Sequence, residues 1–134
     1  MVDDPAAILA RARALLGTRF RLQGRDSSGL DCVGLVACAC QVATVPVDYD
    51  LHSADRAHWM RLLDQMLIRG REHPAPGAVL LMAAGPAQLH LGLWSGDSLI
   101  HAHAGLRRVV ETPGPPFWPV IGHWSCTKDI AWRP

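Results

Sequence analysis

The order of the residues predicts an α+β fold, a helical half followed by a sheet half. Up to Gly70, apolar residues recur at helical spacing behind capping residues; from Pro74 onward, short β-type runs are separated by Gly and Pro. The length of 134 residues, 49% hydrophobic and 19% charged, fits a single folded domain over residues 1–134 with one core.

Asp4 and Pro5 read as an N-cap and first helical position. Ile8, Leu9, Ala12, Leu15 and Leu16 follow at helical spacing until Gly17. Thr18 to Gly29 has the composition of a loop, and a second helix is expected over Cys32 to Val42. After Pro46 and the polar turn through Asp50, Ser53 is the expected cap of a third helix. Its buried face is Trp59, Leu62, Leu63, Met66 and Leu67, and it ends near Gly70.

In the second half, strands are expected at Ala78 to Met82, Gln88 to Trp94, Ser98 to His103, Leu106 to Glu111 and Val120 to Cys126, forming a small antiparallel sheet. Thr112 to Pro116 reads as a rigid loop before the last strand.

The formal charge of +1 gives no footprint for nucleic acid. No apolar stretch approaches the roughly 18 residues of a membrane span, and the acidic start Met1-Val2-Asp3-Asp4-Pro5 lacks the features of a secretory signal, so synthesis and folding in the cytosol are expected. Of the four cysteines, Cys38, Cys40 and Cys126 are expected to be reduced and structural, because a helix points Cys38 and Cys40 apart.

Cys32 is the exception, standing where a loop meets an apolar helix. Unpaired N–H groups and the helix dipole there favour a thiolate of depressed pKa. Further on, His90 stands in the alternating run Leu89-His90-Leu91-Gly92-Leu93-Trp94, and His101 and His103 follow past the turn at Gly96-Asp97. A cysteine, a base and an orienting polar residue in this order are what nucleophilic acyl transfer requires.

On the strand, His90 shares a face with Gln88, Gly92 and Trp94, while Leu89, Leu91 and Leu93 point the other way; the histidine face is expected against the start of the Cys32 helix. A two-residue turn at Gly96-Asp97 pairs Trp94 with Leu99 and His90 with His103, with His101 on the same face one pair nearer the turn. Either His101 or His103 orients His90.

A zinc site built from His101, His103 and a cysteine is the rival. Cys38-Ala39-Cys40 lacks Cys-x-x-Cys spacing, so no metal and no cofactor are expected. His52, His58, His73 and His123 read as surface residues. Arg19, Arg21 and Arg25 read as a solvated basic loop, with pairing to a substrate carboxylate as the alternative.

At these residues the chain resembles the NlpC-type cell-wall peptidases, a papain-like family of cysteine γ-D-glutamyl endopeptidases. The motifs are Asp31-Cys32-Val33-Gly34-Leu35-Val36, His90-Leu91-Gly92-Leu93-Trp94 and Ile100-His101-Ala102. Ala14-Leu15-Leu16-Gly17-Thr18-Arg19-Phe20-Arg21 with Gln23-Gly24, and Val110-Glu111-Thr112-Pro113, are similar to the short branch associated with tails of phages and gene-transfer agents.

The resemblance implies a papain-like NlpC-type fold with the nucleophile helix packed on the sheet, a Cys32, His90 and His101 triad, and hydrolysis of an amide bond in the peptide of bacterial peptidoglycan. It implies delivery to the periplasm or cell wall by a phage-like particle, with tail or baseplate proteins as partners. Asp31, Phe20, Val33 and His103 are its substrate-binding candidates. Phe20 and Val33 replace the family's usual tyrosine and serine, which removes two hydroxyls that with Asp31 help bind a stem-peptide amine. A structural tail-tip protein without activity, and an acyltransferase or amidase on a non-wall substrate, are the alternatives.

Overall fold

The computed structural model describes residues 4–42 and 55–126. Helix α1 (Pro5–Arg13) starts as expected, with the Asp4 side chain accepting the Ala6 N–H at 3.2 Å and Pro5 in its first turn. Ile8, Leu9 and Ala12 are buried, whereas Leu16 lies past the helix end and is exposed.

The expected loop over residues 18–29 contains a small hairpin, β1 (Arg25–Asp26) and β2 (Gly29–Leu30). The Asp26 carboxylate accepts the Ser28 N–H at 2.9 Å, a side-chain turn that closes it; polar composition alone hides such a turn.

Helix α2 (Cys32–Cys40) is shorter than expected, because Gln41 adopts the left-handed conformation at φ 57° and ends it. The expected Ser53 cap, like His52 and the turn through Asp50, lies outside the described residues. Helix α3 (Arg56–Met66) is capped by Asp55, whose carboxylate accepts the His58 N–H at 3.0 Å.

Among the described residues six antiparallel strands form one sheet: β3 (Ile68–Arg69), β4 (Val79–Gly85), β5 (Gln88–Trp94), β6 (Ser98–His103), β7 (Arg108–Pro113) and β8 (Val120–Ser125), in the order β3-β8-β4-β5-β6-β7. The sequence reading missed β3, a two-residue edge strand held where Arg69 binds Asp64 through two contacts at 2.8 and 2.7 Å. Strand β7 begins at Arg108 because the Leu106 N–H is turned onto His103 Nδ1. It continues through Pro113, which an edge strand tolerates.

Along one sheet face Val79, Leu81, Leu89, Leu91, Leu93, Ile100 and Ala102 join α2, α3 and Trp124 in the main core. The opposite face carries a smaller cluster of Ala78, Leu80, Met82 and Leu99 with Trp94 and Trp118. Met82 pairs with His90, so His90 belongs to this second face. The expected packing of the histidine face against the Cys32 helix is therefore corrected: the three leucines are the larger apolar surface, and they take the helix.

The cysteines also differ from expectation. Cys40, at the end of α2, forms a disulfide with Cys126, just after β8, with Cα atoms 5.4 Å apart. Cys40 is the fully buried member of the helical pair, and β8 inserts between β3 and β4 to bring Cys126 beside it, a tertiary pairing that local spacing does not reveal. Cys38 stays a thiol near the Arg25 carbonyl, at 3.3 Å.

The bridge spans a sequence separation of 86 residues. Its reduction should therefore lower unfolding free energy by roughly 4.6 kcal/mol on loop-closure grounds. Denaturant midpoints with and without reductant measure this, and Cys40→Ala with Cys126→Ala should reproduce the reduced value and no longer respond to reductant.

Candidate active site

Cys32 is the first residue of α2, and its position is set by Asp31. The Asp31 carboxylate accepts N–H bonds from Gly34 and Gln23, both at 2.8 Å, and pairs with Arg25 Nη1 at 3.3 Å. Asp31 is 1% exposed. It therefore caps α2 and ties the preceding loop to it, and Arg25 supplies an internal counter-charge. Gly34 permits this close packing: a Cβ there would meet the Gly24 carbonyl oxygen.

The β5–β6 ladder explains how a thiol on one face of the sheet reaches histidines on the other. The turn register is as expected, with Trp94 opposite Leu99 and Leu93 opposite Ile100, but pairing stops after these two. Gly92 lets Leu99 lie across the strand, since a Cβ at Gly92 would sit 2.7 Å from Leu99 Cδ1. Beyond it the strands part. The Leu91 N–H is directed to the Cys32 sulfur rather than to β6. Cys32 thus occupies the fork, and a cleft of about 460 Å³ opens there, lined by Cys32, His90, Phe20, Asp31, His103 and Trp118 among others.

His90 Nε2 and His101 Nδ1 are 2.9 Å apart, and His101 Nε2 lies 3.2 Å from Thr112 Oγ1. Of the two candidates for orienting His90, the one bonded to it is His101. His103 is in ring contact with His101, at 5.4 Å between centroids, and its Nδ1 accepts the Leu106 N–H at 3.0 Å. Trp118 stands edge-on to both inner rings, at 5.1 Å from His90 and 5.7 Å from His101.

Val33 departs from its expected place. It is turned between α2 and α3 against Trp59, Leu63 and Leu91, outside the cleft, because the residue after the first helical position points a hundred degrees round the axis. Phe20 lines the cleft, with its backbone held by the Arg107 carbonyl at 2.9 Å. Sequence reasoning missed Arg25 as the Asp31 partner, Trp118 and Thr112. Thr112 had a signal, standing within a recognised stretch, but no local pattern links Trp118 to histidines on other strands.

Burial dominates the electrostatics. It pushes the Cys32 thiol up to about 12, against the opposing pull of the Leu91, Val33 and Cys32 N–H groups. The helix start acts in the expected direction, but desolvation of a residue 2% exposed outweighs it, so the expectation of a depressed thiol pKa is corrected. Burial, then the neighbouring histidines, lowers His90 to about 3, and burial with His103 lowers His101 to about 4. The resting site is a neutral thiol beside neutral imidazoles. Alkylation of Cys32 by iodoacetamide should accordingly be slow at pH 7 and keep rising with pH beyond 9, without a plateau near neutrality.

Stability carries the same signature. Both rings are neutral when folded and take up protons on unfolding once the pH drops below about 6.5. Their contribution is fully present above that pH and is lost as pH falls toward their folded values of about 4 and about 3. The denaturant midpoint should fall between pH 6.5 and 5, before the carboxylates titrate, and the His90→Gln, His101→Gln double variant should flatten that slope.

A metal has little purchase: both nitrogens of His101 and Nδ1 of His103 are already engaged. Among the described residues no group of three or more His, Cys, Asp or Glu side chains converges on a point.

No protein-family model and no curated protein sequence matches the chain. Solved structures do. A NlpC/P60 family protein from Bacillus cereus superposes with a TM-score of 0.70 at 18% identity, over 96% of this chain and 42% of that one. The NlpC/p60 domain of the peptidoglycan hydrolase SagA matches with a TM-score of 0.65 at 20% identity, over 92% of this chain and 99% of that one. RipD from Mycobacterium tuberculosis, described as a non-catalytic NlpC/p60 domain protein adapted to peptidoglycan binding, matches with a TM-score of 0.56 at 13% identity, over 90% and 95%. The chain thus spans less than half of the Bacillus cereus protein and nearly all of the SagA domain. The helices, the antiparallel sheet and α2 packed upon it are those of the papain-like NlpC/P60 fold.

Proposed function

We propose that the protein is a cysteine peptidase that hydrolyses an amide bond in the stem peptide of bacterial peptidoglycan, of the γ-D-glutamyl-diaminopimelate type. The observation that carries this reading is the shared cleft at the β5–β6 fork, where Cys32 at the start of α2 and His90 backed by His101 meet the same space. The likeness to the NlpC/p60 domain of SagA, a peptidoglycan hydrolase, supports the wall as the place to look.

In the mechanism, His90 removes the thiol proton as Cys32 sulfur bonds to the amide carbon. The helix-start N–H of Cys32 faces the developing oxyanion. His90 then gives the proton to the leaving amine as the C–N bond breaks, leaving a thioester. Water, deprotonated by His90, releases the acid and returns the thiol. Starting from neutral partners, proton transfer accompanies attack rather than preceding it.

Delivery by a phage-like or gene-transfer-agent tail, with tail or baseplate partners, belongs to the same proposal and rests on the resemblance around residues 14–24 and 110–113. Action in the periplasm or wall is supported by the Cys40–Cys126 disulfide, which persists in an oxidising compartment.

A second reading, holding a stem peptide without cutting it, is favoured by the buried, protonated Cys32 and by Phe20 in the cleft. Digestion of purified diaminopimelate-type peptidoglycan, with fragments identified by mass spectrometry, separates the two. New stem-peptide fragments are expected from the wild type alone and not from Cys32→Ala. Binding to the wall with no fragments would establish the second reading.

A further inference from the structure

We propose that Thr112 is a positioning residue for the Cys32 and His90 pair: its Oγ1 accepts the proton of His101 Nε2, and this fixes which nitrogen His90 offers to the thiol. The inference rests on the peptidase reading above for its catalytic consequence, and on geometry for its structural one. Thr112 Oγ1, His101 and His90 form one chain, with contacts of 3.2 Å and then 2.9 Å. Thr112 pairs with Leu99 and His101 with Val110, so the two are diagonal neighbours on one face of β6 and β7.

A neutral imidazole has one N–H and one lone pair, so the direction of the first bond dictates the second. When Thr112 accepts from His101 Nε2–H, His101 Nδ1 is an acceptor, His90 Nε2 carries the proton, and His90 Nδ1 is left as a base. When Thr112 donates instead, His101 Nδ1–H points at His90 Nε2, and His90 carries its proton on Nδ1, useless for deprotonating a thiol. The accepting direction places both rings in the Nε2–H form that a free histidine side chain favours. Thr112 is exposed, so its own hydroxyl proton has solvent to donate to. His103, the other polar neighbour of His101, is committed at Nδ1 to Leu106. The β-branched side chain and the following Pro113 restrict how Thr112 can turn away.

The test uses the full chain labelled with ¹⁵N in its histidines, as wild type, Thr112→Val and Thr112→Ser. Imidazole nitrogen shifts read the tautomer directly. His90 is expected as Nε2–H in wild type and Thr112→Ser, with a mixture in Thr112→Val. An unchanged His90 tautomer in Thr112→Val, or Nδ1–H in the wild type, overturns the proposal.

On a γ-D-glutamyl-diaminopimelate peptide, kcat is expected to fall roughly tenfold in Thr112→Val with KM unchanged, and to recover in Thr112→Ser. An equal fall in both variants also overturns it. A wild type that cleaves nothing counts against the peptidase reading, and the nitrogen shifts still decide the role of Thr112.

Discussion

Cys32→Ala is expected to lower stem-peptide release by roughly 10⁴-fold or more, because in the proposed mechanism the lost sulfur forms the acyl bond and only binding and oxyanion contacts remain. The protein should remain folded. Cys32 is buried, but a thiol is small, and the substitution costs on the order of 1 kcal/mol in lost packing. Cys32→Ser should fare little better than alanine, since a hydroxyl in this desolvated fork is still harder to ionise than the thiol, which burial already holds at about 12. Peptide release followed by chromatography, with circular dichroism as the folding control, measures both variants.

Asp31→Ala is expected to destabilise the protein by about 4 kcal/mol, the largest effect on folding of any single side chain in the site. Its carboxylate accepts two buried backbone N–H groups, from Gly34 and Gln23, and pairs with Arg25. Alanine strands the two backbone donors and removes the counter-charge of Arg25, whose Nη1 keeps the Gly24 carbonyl at 2.9 Å. Asp31→Asn should lose less, since the amide oxygen retains one N–H acceptor. Denaturant titration of the three proteins measures the order wild type, Asp31→Asn, Asp31→Ala. Arg25→Met should fall closer to Asn than to Ala, because it leaves the helix cap intact.

Much of this architecture is legible in the sequence, and the limit of legibility is physical. The cap at Asp4, the β5 and β6 spans and the turn register at Trp94 and Leu99 follow from local rules of capping and two-residue alternation, whereas Asp31, expected only as a substrate-binding residue, is found to cap α2. The Cys32, His90 and His101 order is likewise visible. What local rules do not contain is the parting of β5 from β6 after Leu93, which depends on Leu99 crossing Gly92 and which alone lets a thiol beneath the sheet meet histidines above it.

The same holds for β8 entering between β3 and β4, which brings Cys126 to Cys40 and Trp124 to Asp64. The thiol pKa illustrates a contest rather than an oversight. The helix start pulls it down as the sequence implies, and burial, a property of the assembled core, pulls it up further.

In the proposed function Cys32 and His90 act as one unit on a peptidoglycan peptide. The direct measurement is kcat/KM on a γ-D-glutamyl-diaminopimelate peptide for wild type, Cys32→Ala, His90→Ala and the double variant. If the two residues form one machine, the double variant is expected to be no slower than the slower single one, because a base without its nucleophile has nothing left to lose. Losses that multiply would contradict it, showing that His90 serves the reaction independently of Cys32.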